Sequence, residues 1–317
     1  MKSFAGIMSV ITMTLLCSID SVNAYVSGFL KIGDTYTSLD YPGATSTVAS
    51  NISESGLVVG YYMDGDGKEH GFVKDGETWT SLDYPGATFT RAYDINDVGQ
   101  VLVDAAGHAL LKDGETYTPI TYPGAYATGA TSINNSGQIA GSYFTTLGNP
   151  CDWHGYLKDG DIYASLDISG AYNTLATGIS ESGLILGYYA SWSDGGVAHG
   201  FVKDGEDITL LDFPYREPRA INDAGQMLGY NYGPYSYVGD GESLALICFP
   251  DYVIGNKVFR VDGTTARGIN NAGHIVGSYS YYVHVPEPAT ILLLGLGLSG
   301  LGGVAWRRHR RGEQRSR

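Results

Sequence analysis

Four histidines are the first residues of this 317-residue chain whose spacing suggests chemistry. His70, His108, His154 and His199 each open a short apolar run that ends in Lys-Asp-Gly, and Ser27 and Tyr235 take that place in a first and a sixth copy. Imidazoles facing one another across a ring could hold a divalent metal or titrate near neutral pH. A histidine that ties down a strand end would recur with the same spacing. The second reading is preferred, because metal ligands seldom come one from each of several repeat units. The four are therefore weak metal candidates, and no cofactor is expected.

Other polar clusters promise less. Asp64-Gly65-Asp66-Gly67 begins like a calcium loop, but Lys68 stands where an oxygen ligand is due and no glutamate occupies the twelfth place, so an acidic hairpin tip is expected. Asp40, Asp83, Asp167 and Asp212 precede an aromatic or apolar residue at turns and read as turn-forming Asx residues. A glycosidase would need two acids from different repeats to converge in one pocket, which spacing alone does not reveal. No Gly-rich phosphate loop, Gly-x-Ser-x-Gly elbow, His-Glu-x-x-His or paired-cysteine motif occurs, so there is no catalytic signature. Cys151 and Cys248 fall at non-equivalent positions of non-neighbouring repeats, and whether they pair is left open.

These residues ride on an internal repeat. Its Asp-Gly landmark falls at Asp75-Gly76, Asp113-Gly114, Asp159-Gly160, Asp204-Gly205 and Asp240-Gly241, with Gly33-Asp34 as a degenerate first copy; the clear copies lie 38, 46, 45 and 36 residues apart. A second landmark, a turn glycine followed by an apolar run, also counts six: Gly56 to Gly60, Gly99 to Val103, Gly137 to Gly141, Gly183 to Gly187, Gly225 to Gly229 and Gly273 to Gly277. Such a period is the length of four short strands with their turns. One unit reads as Gly71 to Lys74, Glu77 to Tyr84, Thr90 to Ile95 and Gln100 to Val103, punctuated by Asp75-Gly76, Pro85-Gly86 and Val98-Gly99. The 45 glycines leave no room for helical repeats.

The chain enters mid-repeat at Gly28-Phe29-Leu30-Lys31 and leaves mid-repeat at Ile275-Val276-Gly277, and the two fragments add up to one unit. The expected fold is thus an all-β, six-bladed β-propeller built from repeats of about 36 to 46 residues, over residues 25–284, closed by strands from both ends. Five or seven blades and a parallel β-helix are the rivals. Longer connections at Thr145 to Asp152 and Ser191 to Ala198 fall at the same point of the unit and should project from one rim, where recognition is expected. Exposed tyrosine and tryptophan there would suit sugar stacking, although most aromatics should fill the seams between blades.

Charge excludes one partner class. The formal net charge is −14, but residues 307–317 hold six arginines and one glutamate and residues 1–24 are neutral, so residues 25–306 carry −19. A domain this acidic repels nucleic acid.

Both ends read as targeting segments. Lys2, the apolar run Phe4 to Cys17 and the polar stretch ending Val22-Asn23-Ala24 form a secretory signal over residues 1–24, cleaved after Ala24. At the other end Pro286-Glu287-Pro288 precedes the uncharged stretch Ile291 to Trp306 and then Arg307, Arg308, Arg310 and Arg311. Sixteen helical residues reach about 24 Å, so flanking residues or local thinning must complete a transmembrane helix over 291–306. The arginines would keep the tail, residues 312–317, in the cytoplasm.

Residues 285–311 resemble the PEP-CTERM sorting signal of Gram-negative bacteria, with its motif, span and basic tail in order. The resemblance implies an exosortase as processing partner, a temporary inner-membrane anchor, and a final place at the cell surface or in the biofilm matrix with extracellular polysaccharide. The triplets His70-Gly71-Phe72, His108-Ala109-Leu110, His154-Gly155-Tyr156 and His199-Gly200-Phe201 resemble the HAF-type predicted extracellular repeats, which imply no activity. The function expected from all this is a non-catalytic polysaccharide-binding or scaffold protein. The alternative is a glycan-active hydrolase or lyase on the same scaffold.

Overall fold

The computed structural model describes residues 25–284 except 147–151, 212–216, 231–233, 241–242 and 255–256. The expected signal cleavage at Ala24, the Pro-Glu-Pro motif, the span and the basic tail lie outside the described residues. Six antiparallel sheets follow one another along the chain. Blade 1 runs Ser46–Ile52, Val58–Met63, Glu69–Asp75 and Thr78–Leu82. Blade 2 is Thr90–Ile95, Val101–Ala105, His108–Asp113 and Thr116–Pro119, and blade 3 is Ala127–Ile133, Ile139–Phe144, Trp153–Asp159 and Ile162–Ser165. Blade 4 is Asn173–Ile179, Ile185–Ala190, Ala198–Asp204 and Asp207–Leu211; blade 5 is Glu217–Ile221, Met227–Tyr230, Ser236–Gly239 and Leu244–Ile247.

Blade 6 closes the ring. Its inner strands, Lys257–Ile269 and Ile275–His284, come from the end of the domain and its outer strands, Tyr25–Ile32 and Thr35–Leu39, from the beginning. Phe29 lies opposite Gly277 in that junction. A fifth strand, Tyr252–Ile254, extends the blade as a hairpin on Lys257–Ile269. The six-bladed propeller with mixed closure therefore stands as expected. Its helical content among the described residues is one 3-10 turn, Trp192–Asp194.

The core is six seams. Each second strand sends alternate residues to opposite faces, so Val58 packs with Ile52, Phe72 and Val276 of blade 6, while Val59 packs with Ala92, Ile95 and Val101 of blade 2. Ile139 and Ala140, Ile185 and Leu186, and Ile275 and Val276 divide in the same way. No seam is complete without its neighbour.

Two sequence landmarks find their reasons here. The glycine ending the second landmark faces the aromatic of the third strand: Gly60 opposite Phe72, Gly141 opposite Tyr156, Gly187 opposite Phe201, Gly229 opposite Tyr237 and Gly277 opposite Phe29. A Cβ at Gly187 would stand 2.3 Å from the Leu175 carbonyl oxygen and 2.5 Å from the Phe201 ring. Blade 2 swaps both partners at once, with Val103 opposite Leu110. The Lys-Asp-Gly turn differs by one residue from the expected Asp-Gly hairpin. Asp75 pairs with Thr78, so Gly76 and Glu77 form the turn, with Gly76 at its first position and φ +52°.

Two substitutions test this packing. Gly187→Ala should cost about 2 kcal/mol or more in denaturant unfolding, since one clashing atom is backbone and cannot move aside. Tyr156→Phe should raise stability by about 1 kcal/mol, because the Tyr156 hydroxyl is buried without a hydrogen-bond partner and phenylalanine holds the same place in blades 1 and 4.

Candidate functional site

Six bulges build the centre of the molecule. In every first strand the pairing register shifts around one extra residue, between Ala49 and Asn51, Ala92 and Asp94, Ala130 and Ser132, Ala176 and Gly178, Pro218 and Ala220, and Ala266 and Gly268. A bulge re-aims the side chain it carries. The extra residues are Ser50, Tyr93, Thr131, Thr177, Arg219 and Arg267, and all six line one cavity of about 600 Å³ where the first strands of neighbouring blades meet. Four hydroxyls on blades 1 to 4 thus share the cavity with two guanidiniums on blades 5 and 6. Tyr61, Arg91 and Trp153 add two aromatic rings and a third guanidinium to the wall.

The cations are unevenly spent. Residues 25–284 hold seven lysines and five arginines. Lys31, Lys74, Lys112, Lys158 and Lys203 each donate to the carbonyl of the hairpin glycine two residues on. The first four also sit over the ring of a neighbouring Tyr or Trp. Three of the five arginines, by contrast, line the axial cavity. Arg91 is held by Glu69 at 2.6 Å and lies over the rings of Tyr61 and Phe89. Arg219 has Glu217 at 4.0 Å. Arg267 keeps a buried Nε with no hydrogen-bond partner.

The carboxyls on the wall are largely engaged. Asp94 is 2% exposed and accepts from the Asn51 amide and the Ile95 N–H on one oxygen and from the Ile133 N–H on the other, joining blades 1, 2 and 3. Burial pushes it up to about 7 against the pull of these donors. Burial also raises Asp104, beside Arg91. Among the described residues no cysteine or histidine lines the cavity.

One end of the axis is bound by a hydrogen-bonded ring. The N–H of Ser55 donates to Asp97, that of Asp97 to Asn135, and that of Asn135 to Glu181. Ser182 donates to Asp223, Asp223 to Asn271, and Asn271 to Glu54, which completes the circle. Burial raises Glu54 and Glu181. Burial opposes Asp97 and Asp223 as well, yet the N–H groups of Ser55 and Ser182 and the asparagine amides hold both below the usual range. The order Glu, Asp, Asn occurs twice around the ring, so blades 4 to 6 repeat blades 1 to 3.

The histidines lie toward the other end, at the start of the third strands. His70 bridges Asp83 at 2.7 Å and Asp64 at 3.0 Å, and stacks on Tyr62, which stacks on Tyr41. His154 repeats the arrangement with Asp167 at 3.0 Å, Asp152 at 3.5 Å, Tyr143 and Tyr122. His199 stacks on Tyr189, and His108 lies opposite Ala105 at an exposed strand start. Among the described residues no group of three or more His, Cys, Asp or Glu is placed to hold a metal ion.

Asp64 sits in the hairpin tip expected of it, and one turn assignment changes. Asp64 accepts from the N–H groups of Asp66 and Lys68, closing its own loop rather than opening a calcium site. Asp83 and Asp167 serve the histidines, while the turns after the fourth strands are fixed by Thr47, Thr90, Thr128, Thr174 and Thr264, whose hydroxyls accept from the first turn residue. Asp212 and Cys151 lie outside the described residues, and Cys248 is an exposed free thiol.

Sequence reasoning passed over the axial residues. Their only signal was that the position after the alanine of five first strands, and after Pro218 in blade 5, varies in residue type.

Asp94 makes this site pH-sensitive. An unfolded Asp titrates near 4, so between about 4 and 7 the folded state binds the extra proton and stability falls as pH rises. Asp94→Asn should flatten that component, narrowing the difference in melting temperature between pH 5 and pH 8.

Comparison with known proteins agrees with this architecture. A protein assigned as TolB from Agrobacterium tumefaciens superposes with a TM-score of 0.52 at 12% identity, covering 82% of this chain and 99% of its own. A gluconolactonase from Xanthomonas campestris gives 0.47 at 15% identity, over 83% and 98%. At these identities the first likeness concerns the fold alone and the second carries no argument. No curated protein matches the sequence. Residues 284–311 match the PEP-CTERM protein-sorting motif, and the chain is thereby marked for export, exosortase handling and membrane anchoring in a Gram-negative cell on its way to the surface.

Proposed function

We propose that this protein is a non-catalytic binding or scaffold module for extracellular polysaccharide, held for a time at the inner membrane and then presented at the cell surface or in the biofilm matrix. The observation that carries the reading is the axial cavity. Its wall combines hydroxyls, guanidiniums and aromatic rings, which suits a hydroxyl-rich ligand. The carboxyl best placed for acid–base work, Asp94, has both oxygens committed to holding three blades together. The domain's negative charge keeps it soluble and away from nucleic acid.

The geometry also gives an orientation. The second strand of blade 6 runs from the acidic ring at Asn271 to His284, next to the start of the domain at Tyr25, which faces Tyr281. The last described residue, His284, therefore lies on the histidine face, and a domain anchored through the residues that follow it would turn its acidic ring away from the membrane. A hydrolase or lyase is the second reading, favoured by the raised carboxyls of Asp94 and Asp104 on one wall.

Binding of residues 25–284 to an array of bacterial polysaccharides, with reducing ends assayed on the same samples, separates the two. Retention without release is the expected result. Release of reducing ends would replace the scaffold with an enzyme, and neither signal would sink both.

A further inference from the structure

We infer that the axial cavity is a binding site for a carboxylate-bearing sugar, a uronate, with Arg267 as its anion anchor. The choice of a sugar rests on the polysaccharide reading above; the anion site stands on geometry of its own.

The argument starts from placement. In a domain so acidic, three of five arginines are gathered on one cavity wall while five lysines are tied into hairpins. Arginine suits a carboxylate because its fork of N–H groups can meet both oxygens at once. Arg219 and Arg267 occupy the same bulge position of neighbouring blades, so their side chains enter the cavity side by side.

A buried donor left unpaired costs on the order of 1–3 kcal/mol, and such groups usually have a reason. The Nε of Arg267 is one, so that atom does not tie the guanidinium to the wall it lines. The opposing acids are accounted for. Glu54 and Glu181 accept backbone N–H groups in the ring, Asp94 is bound by its own donors, and Asp104 is beside Arg91.

The rest of the wall selects for a sugar over a bare anion. Ser50, Tyr93, Thr131 and Thr177 place hydroxyls at the four remaining bulges, those of Thr131 and Thr177 donating to backbone carbonyls and so offering only acceptors, and Trp153 offers a ring face. A volume of about 600 Å³ lies within the range of small-ligand sites. Carboxylate at blades 5 and 6, ring hydroxyls toward blades 1 to 4: this is the orientation the lining dictates.

The test uses the full-length chain in detergent micelles and ligand-observed NMR titration with D-glucuronate, D-glucose and acetate. Glucuronate should bind at least about ten-fold more tightly than either of the others, each of which lacks one half of the recognised chemistry. Arg267→Gln should weaken glucuronate by about ten-fold or more without lowering the melting temperature, and Arg267→Lys should recover part of the loss. Equal binding of glucose, equal binding of acetate, or an Arg267→Gln variant that binds glucuronate as before would each overturn the assignment. A polyuronate and a neutral dextran on the same proteins keep the two readings apart. Glucuronate binding with no polymer retained upholds the axial site and removes the scaffold role. Polymer retention with no glucuronate binding does the reverse.

Discussion

Closure of the ring is the constraint from which the rest of this structure follows. Every seam needs residues from two blades, so an open row of five blades would leave two apolar faces in water. Pairing Tyr25–Ile32 with Ile275–His284 removes both faces at once and fixes the first and last strands of the domain together. The hydrogen-bonded ring repeats that closure in polar form. Backbone N–H groups at the inner turns find side-chain acceptors on the next blade.

A closed ring also determines what its centre can be. Six first strands cannot approach one another without crowding, and the bulge in each relieves the ladder while delivering one residue to the axis. Because the bulge residue lies outside the ladder, it is free of the packing rules that keep Ala before it in five blades and Ile two residues after it in all six. That freedom lets hydroxyls and guanidiniums gather there. At the same time, close blade contacts restrict the flanking position: a Cβ at Gly268 would meet Asn51 of blade 1 at 2.6 Å from its Cα.

The doubled Glu, Asp, Asn order extends to the inner turns, where Ser53 and Ser180, Asn96 and Asn222, and Asn134 and Asn270 correspond. Blades with Asn use its amide to reach the next blade's turn carbonyl; blades with Ser close on their own turn instead. The axis departs from this two-fold pattern, since Tyr93 and Arg219, and Thr131 and Arg267, are not alike.

By itself the sequence determined the four-stranded repeat, its six-fold count, closure by both ends and the sorting signal, because these rest on local turn chemistry, apolar spacing and an uninterrupted motif. The glycine opposite an aromatic was visible as a landmark but not as a contact, since the partner lies on another strand. The histidines were visible too, and their partners Asp83 and Asp167 were misread as turn formers because a thirteen-residue separation says nothing of a shared face. Only the tertiary structure decided the axis. Ser50, Tyr93, Thr131, Thr177, Arg219 and Arg267 come from six separate segments, and what unites them is a register shift that no single segment records. Their meeting depends on ring closure, a property of the whole chain.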